Sequence, residues 1–156
     1  MVKISYLLLC LSCCSPAVTA AQTDQVAWVD RGQKHELSPS DACYGQMIDA
    51  ALTLAAGATE KWKRIIGPAE RLAITQEQVS IHIRFKTPRR VRNVALQRDL
   101  DLNEVMIPLS GPLANGRTVI LFADPDFGET NQLVFLGGCA ARDSLEKCLP
   151  KSSGNK

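Results

Sequence analysis

Val79-Ser80-Ile81-His82-Ile83-Arg84-Phe85-Lys86 alternates apolar and polar residues without a fault. A period of two marks a strand with one face on a core and the other in water. It sends Phe85 inward and His82 outward. Downstream, residues 91–96, 104–109, 117–123 and 132–136 read as further strands, separated by turn clusters such as Ser110-Gly111-Pro112 and Asn115-Gly116. Val119-Ile120-Leu121-Phe122 and Leu133-Val134-Phe135-Leu136 are continuously apolar, as central strands buried on two sides are. Pro108 cannot donate to a ladder and marks its strand as an edge or a bulge.

Upstream, the period changes. Cys43, Met47, Ala51, Leu54, Ala58, Trp62 and Ile65 recur in steps of three and four, the stripe of an amphipathic helix. Ser38 suits its N-cap, Pro39 its first position and Asp41 its first turn, and Gly67-Pro68 closes it. The stripe runs through Gly57, so one helix over about residues 39–66 is expected rather than two hinged at that glycine, which costs about 1 kcal/mol against alanine. Met47 and Trp62 read as core residues. Before the helix the chain is mostly polar, and Val26-Ala27-Trp28-Val29 is either a first strand or an extended arm. The expected fold is α+β: one long N-terminal helix packed on a mainly antiparallel sheet of four to five strands.

Ahead of this domain, Lys3 precedes the apolar run Ile4-Ser5-Tyr6-Leu7-Leu8-Leu9-Cys10-Leu11, and small residues follow. That order is a secretion signal over residues 1–20, cleaved after Val18-Thr19-Ala20. The run is too short to span a bilayer, which takes about 20 apolar residues, and no later segment qualifies. The alternative is a lipoprotein with a lipid on Cys13, disfavoured by Cys10 three residues before it. Residues 21–150 then form a single globular domain, and 151–156 a disordered tail. Loss of Lys3 leaves 17 Lys and Arg against 16 Asp and Glu, a balance that points to neither nucleic acid nor a membrane surface. The expected location is periplasmic or secreted.

Cys43, Cys139 and Cys148 survive cleavage, and an odd count in an oxidising compartment suggests one bridge and one spare thiol. A bridge between Cys139 and Cys148 closes about ten residues, worth about 2.7 kcal/mol; a bridge from Cys43 to either is worth about 4.7. Proximity and the Gly137-Gly138 turn favour Cys139–Cys148, which is the expected pairing. The spacing fits no zinc site, and no metal or other cofactor is expected.

Three features could carry chemistry. Arg84, Lys86, Arg89, Arg90, Arg92 and Arg98 put six cations in fifteen residues, a surface for an anion or an acidic partner, or simply a solvated sheet face. The loop at 124–131 gathers oxygen ligands that suit calcium but lacks EF-hand spacing, so a polar hairpin loop is the plainer reading. His35 or His82 could serve as a base, and Cys43 as a nucleophile, although Cys43 lies on the apolar stripe where a thiol is usually inert. No nucleophile elbow, metalloprotease pair or phosphate-cradling loop is present.

The sequence thus suggests an exported, non-catalytic binding or accessory protein that meets a macromolecular partner, with 84–98 as its contact segment. The alternative is a small extracytoplasmic hydrolase with loop-borne site residues. A concave pocket holding His82 or His35 beside a carboxylate favours the enzyme, and a flat basic face the binding protein. For the latter, replacement of Arg89, Arg90 and Arg92 by Ser is expected to weaken binding while sparing stability.

Overall fold

The computed structural model describes residues 23–114, 117–123, 132–137 and 139–150. The signal segment with Cys13, the Asn115-Gly116 turn, the loop at 124–131 and the tail at 151–156 lie outside the described residues.

The chain runs β1 (Gln25–Asp30), β2 (Gln33–Leu37), α1 (Ala42–Gly57), β3 (Glu60–Lys61), α2 (Pro68–Gln76), β4 (Val79–Asn93), β5 (Arg98–Pro108), β6 (Thr118–Ala123), β7 (Gln132–Gly137) and α3 (Cys139–Lys147). The strands form one seven-stranded sheet in the order β2-β1-β4-β5-β6-β7-β3, with every pairing antiparallel. Among the described residues the protein is mostly sheet with three short helices, and the single long N-terminal helix on four to five strands is not what forms.

The expected helix over 39–66 ends at Gly57, the glycine it was expected to run through. Asp41 precedes α1 and accepts the Ser38 N–H at 2.6 Å, so Ser38 and Pro39 build a turn rather than the helix start. At the other end Ala58 is already extended, Glu60–Lys61 pairs with β7, and the Trp62 N–H bonds the Val134 carbonyl at 2.8 Å. The reason lies in the sheet, which is apolar on both faces. Met47, Ala51 and Leu54 of α1 pack with Ile81, Ile83, Val105, Ile107, Ile120 and Phe135 on one face. Met106, Val119, Leu121 and Val134 face the other way, and Ile66, Ile74 and the half-buried Trp62 cover them. A continuous helix would leave that second face bare. The three-and-four spacing from Ala58 to Ile65 is therefore accidental, and Ile65 ends up 70% exposed.

Val26 to Val29 belong to β1, whose hairpin to β2 turns on Arg31 and Gly32, both in the left-handed region at φ 46° and 84°. Two such residues in succession are the two-residue turn whose twist matches antiparallel strands. Residues 91–96 are no separate strand. Instead β4 runs on to Asn93, with its register to β5 jumping from Arg84↔Glu104 to Arg89↔Leu102 around Pro88. Pro108 is the last residue of β5, an interior strand, rather than part of an edge. The β4–β5 hairpin curls over α1, where buried Asn93 donates to the Ala55 carbonyl at 2.8 Å and Val94 to Ala56 at 3.1 Å.

The disulfide joins Cys43 to Cys148, 105 residues apart in sequence with Cα atoms 5.5 Å apart. The expected Cys139–Cys148 bridge is overturned, for a geometric reason. Cys139 opens α3 and Cys148 follows it, so nine helical rises of 1.5 Å put them about 13 Å apart, beyond the roughly 7 Å that a bridge can span. Buried Leu145 seats α3 on the core beside α1 and brings Cys148 to the first turn of that helix.

Candidate functional site

The six cations of 84–98 do not share one environment. On the β4–β5 ribbon Arg90 faces Asp101 and Arg92 faces Asp99 in direct cross-strand register. The Arg90 guanidinium donates to the Asp101 carboxylate at 3.0 and 3.3 Å, and Arg92 lies 3.6 Å from Asp99. The hydrogen bond from Arg90 holds the Asp101 carboxyl below its usual range. Closer to the sheet, Arg84 donates to Glu104 at 3.3 Å. Lys86 and Arg98 have no carboxylate partner among the described residues. The sequence contained half of this pattern: Asp99 and Asp101 alternate as Arg90 and Arg92 do, and a turn centred between them brings the two series opposite one another.

Arg89 does different work. Its guanidinium donates to Asp24 at 2.7 Å and lies over Phe85, 5.8 Å from the ring centroid. Asp24 also accepts the Lys86 N–H at 2.8 Å, and its own carbonyl accepts the Tyr44 hydroxyl at 2.7 Å. One residue before β1 thus ties β4 to α1. Asp24→Ala is expected to cost about 1–2 kcal/mol in urea unfolding, because it strips a well-covered carboxylate from two donors. A change under about 0.5 kcal/mol would show the anchor to be idle. The same contact removes Arg89 from any clean test of surface charge, so the Arg89, Arg90 and Arg92 triple replacement would confound recognition with folding.

His82 points to the second face of the sheet, as alternation requires, but that face is not open water there. The end of α2 lies across it, and the imidazole is half-buried in a pocket of about 420 Å³. Alternating residues of four adjacent strands build the pocket: Lys34 of β2, Ala27 and Val29 of β1, His82 and Arg84 of β4, and Glu104 of β5. Ala27 and Val29 are buried and form an apolar floor. Burial first, and the Lys34 ammonium second, push the His82 pKa down to about 4, so the ring is neutral at ordinary pH.

The His82 Nε2 lies 3.0 Å from the Ser80 hydroxyl, which in turn donates to the Ile74 carbonyl at 3.2 Å. Ser80 is fully buried, so its hydroxyl cannot reach a substrate. Glu104 lines the same pocket as His82 but is held by Arg84. His35 is on the opposite face of the sheet edge, exposed and stacked on Trp28 with ring centroids 3.9 Å apart. It does not meet His82. Cys43 is in the disulfide and has no thiol to offer as a nucleophile. Among the described residues, no group of three His, Cys, Asp or Glu side chains is placed to hold a metal, and no helix is long and apolar enough to cross a membrane. Lys34, Asp24 and the acidic partners on β5 are not singled out by sequence: β2 is too polar to show a strand period, and the carboxylates meet their arginines only through strand pairing and the approach of Asp24 to β4.

No protein-family model, curated protein or solved structure matches the chain.

Proposed function

We propose that the chain is exported and acts as a non-catalytic binding or accessory protein, meeting a protein partner through the exposed charges of the β4–β5 ribbon. The observation that carries this reading is the pair of adjacent cross-strand ion pairs, Arg90–Asp101 and Arg92–Asp99. The strands are about 4.8 Å apart, which is shorter than the roughly 8 Å over which physiological salt screens a charge. From a distance the two rows cancel, so a polyanion gains little. At contact they present a row of cations beside a row of anions, which rewards a partner carrying the complementary rows in one orientation. The disulfide supports the exported location, since such bridges persist in oxidising compartments.

The test exploits the register. Exchanging the rows, with Arg90 and Arg92 replaced by Asp and Asp99 and Asp101 by Arg, keeps both pairs and inverts the pattern. Thermal stability is expected to change by less than about 1 kcal/mol, because all four groups are exposed. A partner cross-linked to the wild type in an extract of exported proteins is expected to bind the exchanged variant at least tenfold more weakly, chiefly through faster dissociation, because the rows act only at contact. Equal affinity for both forms would rule the ribbon out as the contact.

A small hydrolase is the second reading, favoured by His82 and Glu104 lining one pocket. It is the weaker one, since the serine beside the histidine is buried and the carboxylate is engaged by arginine.

A further inference from the structure

The ribbon leaves the pocket above His82 without a role. We propose that it binds the carboxylate of a compact, singly charged organic anion, with the carboxylate between Lys34 and Arg84 and the apolar body on Ala27 and Val29. Its volume of about 420 Å³ suits a small molecule and is too small for a folded partner. Two cations and one carboxylate line it, so once the Lys34 ammonium turns from Glu36, which is outside the lining, one positive charge is left to be matched. A monoanion balances that charge, whereas a phosphate dianion overshoots it and meets Glu104.

The cations are available. Lys34 holds Glu36 at 2.6 Å with both side chains more than half exposed, and Arg84 holds Glu104 at 3.3 Å with its own side chain 64% exposed. Exposed pairs of this kind contribute little and re-form around a ligand at small cost. His82 is rigid by comparison. With the Ser80 hydroxyl donating to the Ile74 carbonyl, the His82 Nε2–H donates to Ser80, which fixes the neutral ring as a wall for the apolar body; its other nitrogen is an acceptor and makes no bond to the carboxylate. The Thr75-Gln76 end of α2 roofs the site and limits the length of the apolar body.

The carboxylate could belong to a free acid or to the C-terminus of a peptide, and the experiment separates them. The full chain, labelled for NMR, is titrated with isovalerate, with isovaleramide, with inorganic phosphate, and with N-acetyl-Ala-Val as free acid and as amide. Isovalerate is expected to shift the His82 ring and the Ala27 and Val29 amides saturably, with Kd on the order of 1 mM, as seven heavy atoms allow. The amide and phosphate are expected to bind at least roughly tenfold more weakly. If the dipeptide acid binds more tightly than isovalerate and its amide does not, the natural ligand is a peptide terminus; the reverse order assigns a free acid. Lys34→Gln and Arg84→Gln, both at exposed positions, are each expected to weaken isovalerate about tenfold while the rest of the spectrum stays unchanged. Equal binding of acid and amide, stronger binding of phosphate, or no saturable shift would overturn the proposal. None of these results depends on the Arg90–Asp101 and Arg92–Asp99 pairs, which are unchanged throughout.

Discussion

Loss of the Cys43–Cys148 bridge is expected to be the most damaging single change in this protein. It closes a loop of 105 residues, and the chain-entropy estimate for such a loop is about 4.7 kcal/mol. Domains of this size have only about 5–15 kcal/mol in all. Cys43→Ser, or reduction of the wild type, is therefore expected to lower the melting temperature by on the order of 15 °C. The first structure to suffer is α3, whose buried Leu145 is held against α1 by that tether. Cys139→Ser serves as the control, since it leaves the bridge in place. Non-reducing tryptic mapping decides the connectivity directly, because Cys139 and Cys148 fall in different peptides. A Cys139–Cys148 linkage, or a shift of only a degree or two for Cys43→Ser, would refute the assignment.

The second large effect is acid sensitivity through His82. In the folded protein its pKa is about 4, against about 6.5 when unfolded. Below 6.5 the unfolded chain takes up a proton that the folded chain refuses, so stability falls as the pH drops from 6.5 towards 4 and is unaffected above that window. A shift of this size corresponds to about 3 kcal/mol. The groups facing the ring are Lys34 of β2, Arg84 of β4 and Glu104 of β5, and the first of these opposes protonation. Carboxylates also titrate at low pH, so the wild type is to be compared with His82→Gln by urea unfolding at pH 7.5 and pH 4.5. The wild type is expected to lose about 2–3 kcal/mol more than the variant across that interval. Equal losses, or an NMR titration of His82 near 6.5, would show that the ring is solvated after all.

These two effects were not equally visible in advance. Loop length alone gives the larger stabilisation to a bridge from Cys43, but it carries no information on whether Cys139 and Cys148 are held apart by the helix between them. Nothing in a spacing of nine residues distinguishes a turn that doubles back from a helix that holds its ends apart. His82 was placed on the correct side of its strand by alternation alone. Its burial depends on α2, whose position against the second sheet face is set by contacts between Ile74 and residues such as Met106 and Val134.

The reading of 84–98 shows the same division. The count of six cations was correct, as was the inward direction of Phe85, which is buried. Their partners are on β5 and at Asp24, up to 65 residues away, and a count along one segment does not include charges that arrive from another. Only Asp99 and Asp101 were near enough in sequence to have been inferred, through a hairpin at residues 94–97.

By itself the sequence determined the local periods: strands at 79–86, 104–109, 117–123 and 132–136, the two-sided burial of β6, and the helical stripe of α1 from Cys43 to Leu54. These follow from where apolar side chains recur along the chain, a one-dimensional property. Tertiary structure alone decided where α1 ends, which cysteines meet, which arginines are neutralised, and that Lys34, His82, Arg84 and Glu104 share a pocket. Each of those outcomes depends on non-local packing across an antiparallel sheet. Its neighbours in the order β2-β1-β4-β5 join residues as far apart as 34 and 104, and a helical stripe stops wherever the opposite face of the sheet needs covering.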